Sequence, residues 1–337
     1  MSQSVHLFVR QLTSLAPARP VAPRPKGVDV QALYTALFNN QLKAQVGPQG
    51  YAQAGRLVAQ YYKAVQQCRQ NELPGALAQL TYADAQVAAL PAAAVDFVTL
   101  FGLSAWGNYY YKANEPARGI DTLRQGLHIS ADLERQGYQV FIYRRIEQLW
   151  NIATIYLKQQ QYDEAHELFR NTLTFVHSGR ASGLLIDDWD GELLQSIRLF
   201  QESTLEENFS RLAKHNTQLL SHATYGHAYY YQVFFKDLLQ HMATDTYNRS
   251  VLYNWLYVKA AYVEQGPDAF FTYALEFLAD PNIAPAYDDL KANLLAQAVW
   301  HLQQQPTPQA RPLITSIQNF SASNLADRAG QALKIAA

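Results

Sequence analysis

A single cysteine, Cys68, stands in 337 residues. That excludes an internal disulfide framework and any cysteine-built metal centre. One free thiol fits a reducing compartment, so the expected location is cytoplasmic. Charge is also thin: 16% of residues are charged, against a usual share of about 25%. Lys plus Arg total 27 and Asp plus Glu 28, a net charge of −1. Direct nucleic-acid binding is therefore not expected, because counterion release needs a basic face. No apolar run approaches the roughly 18–20 residues of a membrane span. Residues 1–20 lack the basic start and continuous apolar stretch of a secretory signal. Nucleophile elbows, phosphate-binding glycine loops and dinucleotide fingerprints are missing. Gly179-Arg180-Ala181-Ser182-Gly183 lacks the Lys-Ser/Thr ending and reads as a linker.

What is present is helical periodicity. Apolar residues make up 49% of the chain, enough for a substantial core. After about residue 28 they recur three and four apart in segments rich in Ala, Leu, Gln and Tyr. Breaks fall at Gly47-Pro48, Pro74-Gly75, Glu115-Pro116, Gly266-Pro267 and Pro306 to Pro308. No convincing succession of alternating strands and hairpin turns interrupts them. Before residue 28 the chain is acid-poor and carries the Pro-rich stretch Ala16 to Pro25. Residues 1–28 are expected as a disordered or extended arm, with a short capping helix or an organelle-import peptide as alternatives.

The clearest unit runs from Leu149 through Ile152, Ala153 and Tyr156 to a polar turn at Gln159 to Gln161, then through Asp163, Glu164, Ala165 and Phe169. A second runs Leu103, Trp106, Gly107, Tyr110, then Gly119 and Leu123. Ala76 with Leu80, and Trp255 to Tyr273, follow the same order more loosely. The small residues Ala76, Gly119 and Ala165 are 43 and 46 positions apart. Small side chains at these places let paired helices approach closely, while the aromatics fill the space beside the crossing. The pattern resembles a tetratricopeptide repeat, although its period exceeds that family's usual ~34 residues. Other helical repeats, with periods of ~40–47, fit the spacing as well. The resemblance implies an all-α fold: a right-handed α-solenoid of antiparallel helix pairs with a period of about 43–46. Residues 29–337 would form roughly six helix pairs, some degenerate, closed by a C-terminal capping helix with Ser323 or Asn324 as its N-cap.

Arrays of this kind bind peptides along the inner face of each first helix. By register, that face would hold Asn108, Tyr111, Glu147, Trp150, Asn151 and Thr154. Asn108 and Asn151 coincide with the asparagines of the family's carboxylate clamp, but Ser104 stands where its first lysine belongs. Arg144 and Arg145, placed just before the helix, either bring positive charge to the groove edge or form a solvated helix start. These residues point to a non-enzymatic scaffold that captures a protein or peptide partner, with aromatic anchors and asparagine hydrogen bonds. A ligand-sensing regulator working with a partner chain is the alternative.

An all-helical metal-dependent enzyme would draw on Asp187, Asp188, Asp190 and Glu192, or on His215, His222, His227 and His241. The acids read equally as a helix start, and the histidines lack the i, i+4 spacing that helical zinc ligands favour. No cofactor or metal is expected. Trp255, Tyr257, Phe270, Phe271 and Phe277 either pack between helices or present a patch for a homodimer.

Overall fold

The computed structural model describes residues 2–15, 30–305 and 307–325. Among the described residues there are helices and no strands. In chain order they are α1 (Gln3–Ser14), α2 (Val30–Arg69), α3 (Leu73–Val87), α4 (Ala92–Lys112), α5 (Pro116–Arg135), α6 (Phe141–Lys158), α7 (Tyr162–Ser178), α8 (Gly191–Ser196) and α9 (Arg198–Leu219). Then follow α10 (His227–Tyr230), a π-helical stretch Tyr231–Phe235, α11 (Lys236–His241), α12 (Tyr247–Glu264), α13 (Pro267–Ala279), a 3₁₀ turn Pro285–Tyr287, α14 (Asp288–Gln303) and α15 (Ala310–Asn324). No described helix is long and apolar enough to cross a membrane.

The chain divides into two compact units. The second unit holds residues 30–201, and the first holds α1 with the described residues from Glu202 onward. The array expected over 29–337 spans both units. After α7 the helix-pair pattern lapses: Gly179 takes a left-handed φ of 75° that ends the helix, and residues 180–190 carry no helix.

In the second unit, one turn geometry occurs three times. Asn71, Asn114 and Gln160 each adopt a left-handed φ of 63–64°. In each turn the next residue's N–H bonds back five residues: Glu72 to Gln67 at 2.8 Å, Glu115 to Tyr110 at 2.8 Å, Gln161 to Tyr156 at 3.0 Å. These turns join α2 to α3, α4 to α5 and α6 to α7. They are 43 and 46 residues apart, matching the spacing of the buried small residues Ala76, Gly119 and Ala165. The reason for small residues is explicit at the middle pair. A Cβ on Gly119 would sit 3.2 Å from the Gly107 carbonyl, and one on Gly107 would meet Leu123 at 2.8 Å. Helix α2 is two helices in one: Gly47 has a left-handed φ of 68°, and Pro48 restarts the helix where its missing N–H costs nothing. The core centres on stacked and tilted rings, Phe38, Phe97, Phe101, Tyr138 and Phe141, with centroids 5.1–6.2 Å apart. Burying each phenylalanine contributes about 2–3 kcal/mol.

In the first unit, α12, α13, α14 and α15 pack in sequence, with Phe209 and Phe235 against Trp255. Helix α1 belongs here. Its Val5, Phe8, Val9 and Leu12 follow the i, i+3, i+4, i+7 pattern and are buried, in a helix that packs on α13 and α15. Phe8 meets Phe271 edge-on at 5.1 Å. The hydroxyl of Ser4 bonds to Asp268, and Ser2 and Ser4 together hold the Asp268 carboxyl below its ordinary range. Residues 3–14 are therefore a packed helix and not an extended arm, because their apolar stripe has a surface to cover. The Pro-rich stretch 16–25 lies outside the described residues. Ser323 and Asn324 lie in the last turn of α15. Any capping helix beyond 325 also lies outside the described residues.

Trp255, Phe270, Phe271 and Phe277 are buried in this unit, which leaves Tyr257 as the exposed ring of that group. Four of the five rings thus take the first of the two places the sequence left open, packed between helices.

Candidate functional site

In the second unit, α2, α4 and α6 bring several of the expected residues to one face. Helices α4 and α6 each carry a stripe at 3-4-3 spacing: Phe101, Ser104, Asn108 and Tyr111 on one, Arg144, Glu147, Asn151 and Thr154 on the other. Phe101 is buried and the other seven are half-buried, so the stripes are neither core nor fully solvated. Arg144 joins them. Its guanidinium lies over the Phe101 ring at 5.3 Å, and its Nη1 donates to Glu147 Oε2 at 2.5 Å. Tyr62 of α2 meets the same Phe101 ring at 6.0 Å and is 54% exposed.

Electrostatics couple these side chains. Burial pushes the phenol of Tyr34 up, and Arg144 pulls it back. Burial works against the Arg144 guanidinium, yet Glu147 and the two phenols outweigh it and raise its proton affinity. Three buried polar atoms here have no hydrogen-bond partner among the described residues: Tyr34 Oη, Asn108 Oδ1 and Arg144 Nε. Such atoms cost about 1–3 kcal/mol each unless something answers them.

Two expected residues, Trp150 and Arg145, lie elsewhere. Trp150 is 1% exposed and stacks on Phe169 at 4.5 Å, so it fills the core between α6 and α7. Thr154 returns its hydroxyl to the Trp150 carbonyl at 2.7 Å. Arg144 and Arg145 lie within α6, not ahead of it. Arg145 supplies no charge to a surface. It is buried, forms a two-point pair with Glu134 at 2.8 Å and 2.8 Å, bonds to the Asp188 carbonyl, and stacks on Trp189 at 4.1 Å. It pins the loop before α8 to α5 and α6. Burial lifts the Glu134 carboxyl to about 7, against the opposing pull of Arg145.

Asp190 caps α8 by accepting the Leu193 N–H at 2.9 Å, the helix-start role its sequence suggested. Asp188 pairs with Arg135. His222 accepts two N–H bonds in its own turn, while His215 and His227 are buried and His241 is exposed beside Asp237. Among the described residues, no three His, Cys, Asp or Glu side chains group as a metal site requires.

Two features escaped the sequence reading. Tyr34, Tyr62 and Phe101 belong to the α2/α4/α6 face; the signal was Ala64, buried 43 residues before Gly107. The other is a polar cluster inside the first unit. Lys259 is fully buried, and its ammonium donates to Asn216 Oδ1 at 2.8 Å, Asn293 Oδ1 at 2.9 Å and Gln297 Oε1. The Asn293 amide is oriented by donating to the Ala213 carbonyl and Thr217 Oγ1. The Gln297 amide is oriented by His227 Nε2 at 3.3 Å. Burial alone drives the Lys259 amine well below its ordinary pKa, and no carboxylate offsets it. Only an isolated Lys among Trp255, Leu256, Val258 and Ala260 marks this in sequence.

No protein-family model, curated protein or solved structure matches the chain.

Proposed function

We propose that the second unit is a tetratricopeptide-like array of three helix pairs, part of a right-handed solenoid, and that it works as a non-enzymatic scaffold. The α2/α4/α6 face takes a peptide segment of a partner protein. The recurring turn and the small residues at 43 and 46 positions support the array. One observation carries the binding role: three unanswered buried polar atoms, of Tyr34, Asn108 and Arg144, share a face with the exposed ring of Tyr62. A peptide backbone offers both the donors and the acceptors these atoms lack, and an exposed tyrosine is a low-entropy anchor.

Asn151, half-buried on the α6 stripe, is the natural second contact. The test uses the full chain and a displayed library of random peptides. Selected peptides should lose about tenfold or more in affinity to a Tyr62→Ala/Asn151→Ala double variant whose circular dichroism matches the parent. Equal affinity for both proteins would refute this face as the site.

A further inference from the structure

A different cleft, on the α3/α5 side of α4, has a chemistry of its own. It has a volume of about 420 Å³, within the range of ligand sites. Trp106 and Tyr110 form its aromatic wall, their rings stacked at 5.2 Å and 24°. Asp84 faces them from α3. Its carboxylate is fixed by Tyr61 Oη at 2.6 Å on one oxygen and Trp106 Nε1 at 2.7 Å on the other. Each oxygen keeps acceptor capacity after those bonds. Asp121 lines the cleft from α5, exposed, with no hydrogen bond or ion pair among the described residues.

The cleft already holds one guanidinium. Arg118 lies 4.1 Å from the Tyr110 ring and donates to its hydroxyl at 2.9 Å. Its charge, however, is matched by Glu115. That leaves Asp84 and Asp121 as two carboxylates beside an aromatic wall, paired with no cation among the described residues. A planar cation satisfies both demands: it stacks on rings and forks its N–H groups onto carboxylates, whereas an ammonium is a compact, strongly hydrated point charge.

We propose that this cleft receives an arginine side chain presented by a partner polypeptide. Asp121 supplies the free carboxylate, Asp84 the oriented one, and Trp106 the stacking surface. The site is independent of the Tyr62 face, so either can fail without the other.

The experiment uses the full chain labelled with fluorotryptophan and read by fluorine NMR, which resolves Trp106 among five tryptophans. The probes are acetyl-Gly-Arg-Arg-Gly-amide and its lysine counterpart. The arginine peptide should shift the Trp106 signal saturably, and the lysine peptide should bind several-fold more weakly. Asp121→Asn should weaken the arginine peptide by about tenfold, with the other tryptophan signals unmoved to show an intact fold. No saturable shift at Trp106, equal affinity for the two peptides, or undiminished binding by Asp121→Asn would each overturn the proposal.

Discussion

Replacing Asn293 by Leu tests whether Lys259 is held as an ammonium ion by neutral amides. The substitution keeps approximate side-chain volume and removes one of the three oxygens around Nζ. It also removes the amide donor to Ala213, Asn216 and Thr217. A hydrogen bond to a buried charge contributes about 1.5–3 kcal/mol, and the neutral bonds about 1 more between them, since the Ala213 carbonyl and Asn216 Oδ1 keep other donors. The expected loss is about 3 kcal/mol, confined to the first unit. A pH signature accompanies it. A lysine whose folded pKa lies below its unfolded value binds fewer protons when folded, so stability rises as pH climbs toward 10.5. The slope reaches at most about 1.4 kcal/mol per pH unit. Asn293→Leu should extend that rise to lower pH, and Lys259→Met should abolish it. Hydrogen exchange of α9, α12 and α14 amides, corrected for intrinsic rates, reads the opening free energy directly. A loss below about 1 kcal/mol, or a pH slope that Lys259→Met leaves unchanged, would refute the reasoning.

Three further outcomes are expected. Phe8→Ala should destabilise the first unit by about 3–5 kcal/mol in denaturant titration, because the ring is buried against Phe271; a neutral effect would mean α1 is not part of that core. Trp150→Ala should cost a similar amount in the second unit, measured as a fall in its thermal midpoint, since Trp150 fills space against Phe169. Glu134 gives the opposite pH sign to Lys259. Its folded carboxyl titrates near 7, above the ordinary 4.5, so the folded state binds the extra proton and stability falls as pH rises through that window. The second unit should melt lower at about pH 8 than at about pH 5, by no more than about 3 kcal/mol of stability, and Glu134→Gln should flatten the difference. A parallel pH dependence in the variant would show that another group is responsible.

The sequence by itself determined the helical class and the hairpins of the second unit. The positions of Ala76, Gly119 and Ala165 follow from local rules: a small residue where two helices touch, a polar turn before it, and an aromatic or Leu four residues on. Turn geometry is equally local, which is why Asn71, Asn114 and Gln160 recur at the same spacing. Asn108, Tyr111, Glu147, Asn151 and Thr154 were placed by register with the resembled repeat, and 3-4-3 spacing sets each helix's share of them on one side of that helix.

Tertiary structure decided which arginine is available. Arg144 and Arg145 are chain neighbours, but about 100° of helical rotation separates them. One reaches Phe101 and Glu147, and the other is consumed by Glu134 and Trp189. Periodicity places Trp150 on a helix but does not say whether Phe169 covers it. The same limit hid α1, whose apolar stripe acquires meaning only against α13 and α15, more than 250 residues away. Lys259 is the sharpest case. Whether a lysine in an apolar helix reaches water or is caged by amides depends on Asn216, Asn293 and Gln297, which α9 and α14 bring to it. Contacts between residues distant in the chain are set by packing, and no local pattern encodes them.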